Sequence, residues 1–277
     1  MMDVIFFDLD GTLLNKNSEL STYTIDTLHM LRDKNIAHTV ATGRTMLSAQ
    51  RVLGNHSFDL PHIYSNGVTV WDPRDNGLTL ENLLNQNEVS YIVDYAQSIG
   101  ITPFVNTVSS DSASHEHFVY HSPPKHQAEK DLINKYFAKS ELIQRPLSSL
   151  SEDQAVTNIS MIGDTQTIGE VDEYVSRYDS LVAYSGYAIE GDHLSWIDIH
   201  HRLANKGSAV QALSDQLGGS NIICFGDSYN DASMFKLAHE SYAPQNAKDE
   251  IKKLASSVIG HHHEDGVALF LRERFNL

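Results

Sequence analysis

A chain of 277 residues, 41% apolar and 20% charged, can bury one or two cores, and that balance excludes disordered or collagen-like sequence. Acidic residues outnumber lysine and arginine by 36 to 20, and the formal charge of -16 disfavours a nucleic-acid partner. The same charge repels small anions, so an anionic ligand would require a bound cation and local bases to reverse the field.

Val4 to Leu9 reads as a buried strand. Thr22 to Lys34 follows as a helix with Ile25, Leu28 and Leu31 on its apolar face, and Ile36 to Val40 as a second strand. These three form a βαβ unit. From about Asn85 to Glu190 the pattern changes: the helical stretch Glu88 to Ile99 is followed by half-polar strands at Phe118 to His121, Thr157 to Ile162 and Leu181 to Tyr184. That alternation predicts a sheet exposed on one face, with loops at Pro123-Pro124 and at Ser148 to Gln154. The first pattern then returns, with helix Lys206 to Leu217, strand Asn221 to Phe225, helix Tyr229 to Leu237, a short strand and helix Ala247 to Ser256. The expected fold class is α/β, a Rossmann-like parallel-sheet core over 1–85 and 190–277 with an inserted α+β module over 86–189.

The single cysteine, Cys224, lies in the run Ile222, Ile223, Cys224, Phe225 and can form no intramolecular disulfide, which fits a reducing, cytoplasmic compartment. A small buried strand residue is the better reading of it than a nucleophile. The opening residues include Asp3, Asp8 and Asp10 and lack the pattern of a signal peptide. No apolar stretch reaches the length of a membrane span, so no membrane partner is expected.

Four short segments at predicted strand ends carry chemistry. In Asp8-Leu9-Asp10-Gly11-Thr12, period two sets both carboxylates on one side, roughly 7 Å apart, at the carboxyl end of the sheet where ligands of open α/β folds bind. One carboxylate could attack while the other moves protons. Alone, such a segment is as readily a strand-end turn with solvated acids. Ala41-Thr42-Gly43-Arg44 offers a hydroxyl and amides to phosphate oxygens, although taken alone an ordinary helix cap is the better reading. Lys206, in Asn205-Lys206-Gly207-Ser208, could neutralise charge on a transferring phosphoryl group, although taken alone it reads better as an ordinary solvated lysine. In Gly226-Asp227-Ser228-Tyr229-Asn230-Asp231, a strand-tip carboxylate can join Asp8 around a hard divalent cation.

Taken in order with Ser65-Asn66-Gly67 and the ending Asp265-Gly266-Val267-Ala268, these segments resemble the haloacid dehalogenase superfamily, in particular its Cof-type sugar-phosphate phosphatase branch. The resemblance covers both halves of the core. It implies an α/β cap as the middle module, and a phosphomonoester hydrolase using Mg²⁺ and an aspartyl-phosphate on a small phosphorylated metabolite. It further implies Asp8 as nucleophile, Asp10 as acid and base, Thr42, Gly43, Lys206 and Asn230 as phosphate contacts, and Asp8, Asp227 and the Asp10 carbonyl as metal ligands, with Asp231 supporting that shell.

A phosphomutase or phosphotransferase of the same superfamily differs only in the acceptor, and a non-catalytic binder of phosphate ligands would keep the fold without turnover. The intact acidic set speaks against the binder, and a receiver-type regulator would leave the middle module unexplained. Ala243-Pro244-Gln245-Asn246-Ala247 departs from the family's glycine-rich segment at this point, which affects the rim of the site. His261-His262-His263 is expected to be a solvated loop, since three consecutive histidines in a regular element diverge, and His115, His117, His121 and His126 a polar face of the module. Substrate identity and oligomeric state are not encoded in any of these segments.

Overall fold

The computed structural model describes residues 2–54, 56–111, 114–188, 191 and 193–277. The chain divides into two compact units, one of residues 1–79 and 205–277 and the other of residues 80–204. The boundaries expected from sequence lay at 85/86 and 189/190, and residues 189 and 190 fall outside the described residues. The second boundary lies at 204/205 because residues 194–201 form a strand that pairs with two others of the second unit.

The first unit opens with β1 (Met2–Phe7), α1 (Thr22–Asp33), β2 (Ala37–Val40), α2 (Met46–Leu53), β3 (His62–Tyr64), β4 (Thr69–Asp72) and β5 (Gly77–Leu80). Val4, Ile5, Phe6 and Phe7 are all fully buried. Each such side chain contributes roughly 1.5–3 kcal/mol of transfer free energy, which is why this short run holds the sheet centre. Helix α1 starts where the Ser21 hydroxyl accepts from the Thr24 amide at 3.0 Å, and it buries Leu28 and Leu31. The three short strands β3, β4 and β5 make a small sheet of their own, one that the turn-rich sequence around Asp72 to Asn76 did not announce.

In the second unit the order is α3 (Gln86–Ser98), β6 (Phe104–Asp111), β7 (Ser114–His121), α4 (Gln127–Leu132), β8 (Ile143–Pro146), β9 (Val156–Asp164), α5 (Thr165–Val175), β10 (Leu181–Tyr187) and β11 (Leu194–His201). Its strands lie in the order β10-β11-β9-β6-β7-β8, antiparallel except for the parallel pair β7 and β8. Val89, Ile92 and Ala96 of α3 and Ile168, Val171 and Val175 of α5 pack on one face, through Val105, Tyr120, Ile159 and Ile197. On the other face only a small cluster forms, joining Phe104, Val119 and Ile162 to Ala128 of α4. This unequal cover explains the half-polar strands.

Back in the first unit come α6 (Lys206–Gln216), β12 (Ser220–Phe225), α7 (Ala232–Leu237), β13 (Glu240–Pro244), α8 (Asp249–Leu254), β14 (Ser257–Ile259) and α9 (Gly266–Phe275). The main sheet runs β14-β13-β12-β1-β2, every pair parallel. Because β1 lies between β2 on one side and β12 on the other, its carboxyl end is the topological switch point, where loops part and leave a crevice. Phe225 of β12 is paired with Phe7, so Asp8 and Gly226 leave the sheet side by side.

Beside this sheet lies a group of buried histidines. His38, His56 and His62 surround Phe58 with ring centroids 4.8–5.6 Å from it. Among the described residues neither nitrogen of His56 has a hydrogen-bond partner, and burial, with His29 nearby, pulls its pKa down to about 4. Burial has the same effect on His62, down to about 4, while its Nδ1 meets the Tyr64 hydroxyl at 2.6 Å.

Candidate active site

Strand β1 ends at Phe7, one residue before the first carboxylate. The Asp8 amide donates to the Phe225 carbonyl at 2.9 Å, which fixes the tip of β1 against the end of β12. Beyond it the chain turns at Gly11, whose φ is 71°. Asp8 and Asp10 therefore do not share a strand face as period two implied: Asp8 is buried and Asp10 is exposed. Glycine is required at position 11 for a second reason, since a β-carbon there would run into the Asp227 carboxylate.

Lys206 is the first residue of α6, a helix capped by Asn205, whose side chain accepts from the Ser208 amide at 2.9 Å. Its ammonium is completely buried and donates to Asp8 Oδ1 at 2.5 Å and to Asp231 Oδ1 at 2.6 Å. The other oxygen of Asp231 accepts from the amides of Asp227 and Ser228, both at 2.9 Å. Both oxygens of Asp231 are thus engaged in holding Lys206 and the loop that presents Asp227.

Charge in this cluster is unbalanced. Burial, and then the neighbouring Asp231, Asp227 and Asp10, hold the Asp8 carboxyl well above the ordinary range although Lys206 opposes them. Asp227 is pushed up to about 7, by burial first and Asp231 second. Burial alone would lower Lys206, but Asp231 and Asp8 outweigh it and keep the ammonium charged. Carboxylate oxygens of Asp8, Asp227 and Asp231 lie within 4.8 Å of one another, an all-oxygen donor set with one ammonium to offset it. A small hard dication fits that deficit. Since Asp231 is already committed, Asp8 and Asp227 are the residues fitted to ligate it and Asp231 to support them.

Around this cluster the remaining segments assemble. The Ala41 amide donates to the Phe7 carbonyl at 2.8 Å, which brings the end of β2 beside the end of β1. Thr42 is buried, with its hydroxyl accepting from the Arg44 amide at 3.2 Å. Gly43 faces two side-chain amides: a β-carbon there would lie 3.2 Å from Asn66 Oδ1 and 3.3 Å from Asn230 Nδ2. Asn230 donates to Asn66 at 2.9 Å, so Thr42 and Gly43, the turn at Asn66 and the segment after β12 converge.

Arg44 and Asn66 were present in the segments read from sequence but were given no role there. Arg44 grips Asp10 through two guanidinium nitrogens, each 2.6 Å from a carboxylate oxygen. No spacing rule predicts a pair 34 positions apart; only the arginine closing Ala-Thr-Gly-Arg hinted at it. Asn66, at φ 55°, is the kind of left-handed turn position that an Asn-Gly pair signals. Asn246, in the segment that departs from the family pattern, donates to the Gly11 carbonyl at 2.7 Å and so braces the turn after β1.

The histidines also depart from expectation. His261 and His262 are half-buried, and residues 262–264 form a 3-10 turn instead of a solvated loop. In the second unit His117 is buried with its Nε2 unpartnered among the described residues, while His121 and His126 bond the Ser122 and Gly100 carbonyls. Among the described residues the histidines of that unit form no converging set of three ligands.

A family model described as haloacid dehalogenase-like hydrolase matches residues 5–271. The chain is 28% identical to a 5-amino-6-(5-phospho-D-ribitylamino)uracil phosphatase of Bacillus subtilis, over 99% of this chain and 98% of that protein. It is 24% identical to a pyridoxal phosphate phosphatase of Escherichia coli, covering 97% of each. Among solved structures, a haloacid dehalogenase-like hydrolase from B. subtilis superimposes with a TM-score of 0.79 at 21% identity, over 98% of this chain and 99% of that one. A solved protein from Thermotoga maritima gives 0.76 at 24% identity, over 99% of this chain and 97% of that one.

Proposed function

The chain belongs to the haloacid dehalogenase-like hydrolase family, and from that premise we propose that this phosphatase is magnesium-dependent and cleaves a small phosphate monoester through an aspartyl-phosphate at Asp8. The observation that carries the reading is the buried Asp8–Lys206–Asp231 chain with Asp227 beside it. When bound by Asp8, Asp227 and the Asp10 carbonyl, Mg²⁺ supplies the positive charge that offsets repulsion between carboxylate and phosphate.

Asp8 attacks phosphorus through a carboxylate oxygen, the bond from phosphorus to the ester oxygen breaks, and Asp10 gives that oxygen a proton. Water then attacks the acyl phosphate, Asp10 takes its proton, and inorganic phosphate leaves with Asp8 restored. Lys206 stabilises charge on the transferring group, while Thr42, Gly43 and Asn230 hold its oxygens by hydrogen bonds. Because both Asp10 oxygens accept from Arg44, the guanidinium must release one of them before Asp10 can carry the proton.

The segment 86–189, within the second unit, acts as the cap that selects the leaving group. Sugar phosphates are the default substrate class, and the names of the relatives add phosphates of planar ring compounds. Cys224, buried in β12 and with its thiol pushed up by burial, suits a reducing cytoplasm. The test is turnover of a panel of sugar phosphates, pyridoxal phosphate and flavin mononucleotide in Mg²⁺. Asp8→Asn should fold and lose at least about 10³-fold in kcat, and wild-type enzyme should release inorganic phosphate without a bisphosphate activator. An active Asp8→Asn enzyme would refute the covalent route, and transfer to a second hydroxyl would indicate a phosphotransferase.

A further inference from the structure

The turn of three histidines offers imidazole nitrogens where the acidic cluster offers carboxylate oxygens. Imidazole nitrogens of His261, His262 and His263 lie within 4.8 Å of one another, with ring centroids 3.9–5.0 Å apart. The 3-10 turn at 262–264, ended by Asp265 at φ 55°, brings the rings together where an extended loop would splay them. We propose that this turn is a second metal site, one that binds a borderline transition cation such as Zn²⁺ through the rings of His262 and His263, closed by His261.

The three rings are not equivalent. His262 Nδ1 lies 2.8 Å from the Leu14 carbonyl, a contact in which the ring must donate, so its Nε2 carries the lone pair. A carbonyl behind a histidine in this way fixes ring orientation and tautomer for metal binding. His263 is exposed and can turn its ring toward the same point. His261 is committed differently: its Nδ1 accepts from the His263 amide at 3.1 Å, and ligation through either nitrogen requires that bond to break, with a change of tautomer as well if Nε2 is used. It is the weakest of the three.

Donor softness separates the two sites. Three imidazoles with open positions for water suit zinc, nickel or copper, whereas carboxylate oxygens suit magnesium. The histidine turn also touches the residues that shape the catalytic turn. The His262 amide donates to Asn246 Oδ1 at 3.2 Å, Asn246 donates on to the Gly11 carbonyl, and the His262 ring bonds Leu14. A cation gathered by these rings would therefore alter catalysis without displacing magnesium.

Calorimetric titration of the full chain with Zn²⁺, at saturating Mg²⁺ and pH 7.5, should show one equivalent bound with micromolar affinity. His262→Ala and His263→Ala should each weaken it at least about tenfold and His261→Ala less, with turnover in Mg²⁺ alone unchanged in His263→Ala. Co²⁺ gives a second reading, because a nitrogen-rich site of low coordination number absorbs visible light far more strongly than octahedral oxygen ligation. That intense band should appear in wild type and vanish in His263→Ala. Wild-type protein that binds no zinc beyond what displaces Mg²⁺, or zinc affinity and a cobalt band unaffected by His263→Ala, would overturn the proposal.

Discussion

Lys206→Met tests the electrostatic balance of the site, because it keeps an unbranched side chain of nearly the same size and removes the ammonium with its charge and its two hydrogen bonds. In the native protein the ammonium lies 2.5 Å from Asp8 and 2.6 Å from Asp231, all three groups buried. Removing one member of such a set leaves uncompensated charge and costs about 3–5 kcal/mol. At about 2–4 °C per kcal/mol for a unit of this size, the melting temperature should fall by roughly 6–20 °C. The loss should be largest at pH 8 in chelator and shrink toward pH 6, because Asp8 and Asp227 already favour protonation and can shed their charge as pH falls. Mg²⁺ should restore part of the loss, and Asp231→Asn should restore part of it in the Lys206→Met background. Urea and thermal unfolding followed by circular dichroism measure all four effects. A Lys206→Met protein within about 1 kcal/mol of wild type at pH 8 would refute the view that this lysine holds the carboxylates together.

Mg²⁺ affinity should depend on pH: Asp227, at about 7 without a cation, must lose its proton to ligate, so affinity should climb up to about tenfold per pH unit below 7 and level off above. Calorimetry at pH 6 in buffers of different ionisation enthalpy should detect the released proton, and a pH-independent affinity would exclude this coupling. His56 has a folded pKa of about 4 against about 6.5 unfolded, so the stability it confers is complete above pH 6.5 and is lost as pH falls toward 4, to a maximum of about 3 kcal/mol. The difference between wild-type and His56→Phe unfolding free energies should follow that curve, and a flat difference would contradict it. Gly11→Ala imposes a side chain at φ 71° and drives it into the Asp227 carboxylate, so it should cost about 1–2 kcal/mol and raise the Mg²⁺ needed for half-maximal activity more than tenfold. Unchanged magnesium dependence would mean that Asp227 can move aside freely.

The centre of the parallel sheet was legible because β1 and β12 each carry a short, unbroken apolar run. Val4 to Phe7 and Ile222 to Phe225 have both faces buried, and such runs followed by helices leave few alternatives. Lys206 and Asp227 were legible as residues at helix starts and strand ends, since sheet topology brings those ends together from any distance in sequence. Side-chain partnerships were not. The grip of Arg44 on Asp10 depends on the path of two loops, and the role of Asn246 on a bond to one backbone carbonyl. The small sheet of β3 to β5 was hidden because three- and four-residue strands carry too little periodicity. Residues 194–201 were misplaced because Trp196, Ile197 and Ile199 suit a strand of either unit, and only pairing with β9 and β10 decides between them. For the histidine turn, the argument that consecutive rings diverge holds in helices and strands but fails in a tight turn.

The register of β1 against β12 has a consequence for how this protein is made. Met2 pairs with Ser220 and Phe7 with Phe225, so one edge of the central strand has no partner until more than 200 further residues have been synthesised. Its other edge is served early, by β2 at residues 37–40. Residues 80–204 make their own sheet and helices and can fold on emerging from the ribosome while Val4, Ile5, Phe6 and Phe7 still wait. Long-range parallel pairing of this kind is slow and leaves apolar strand edges open to wrong partners. Chains stalled before about residue 220 should therefore be recognised by chaperones through the amino-terminal segment, while the later-encoded inserted unit is already protected.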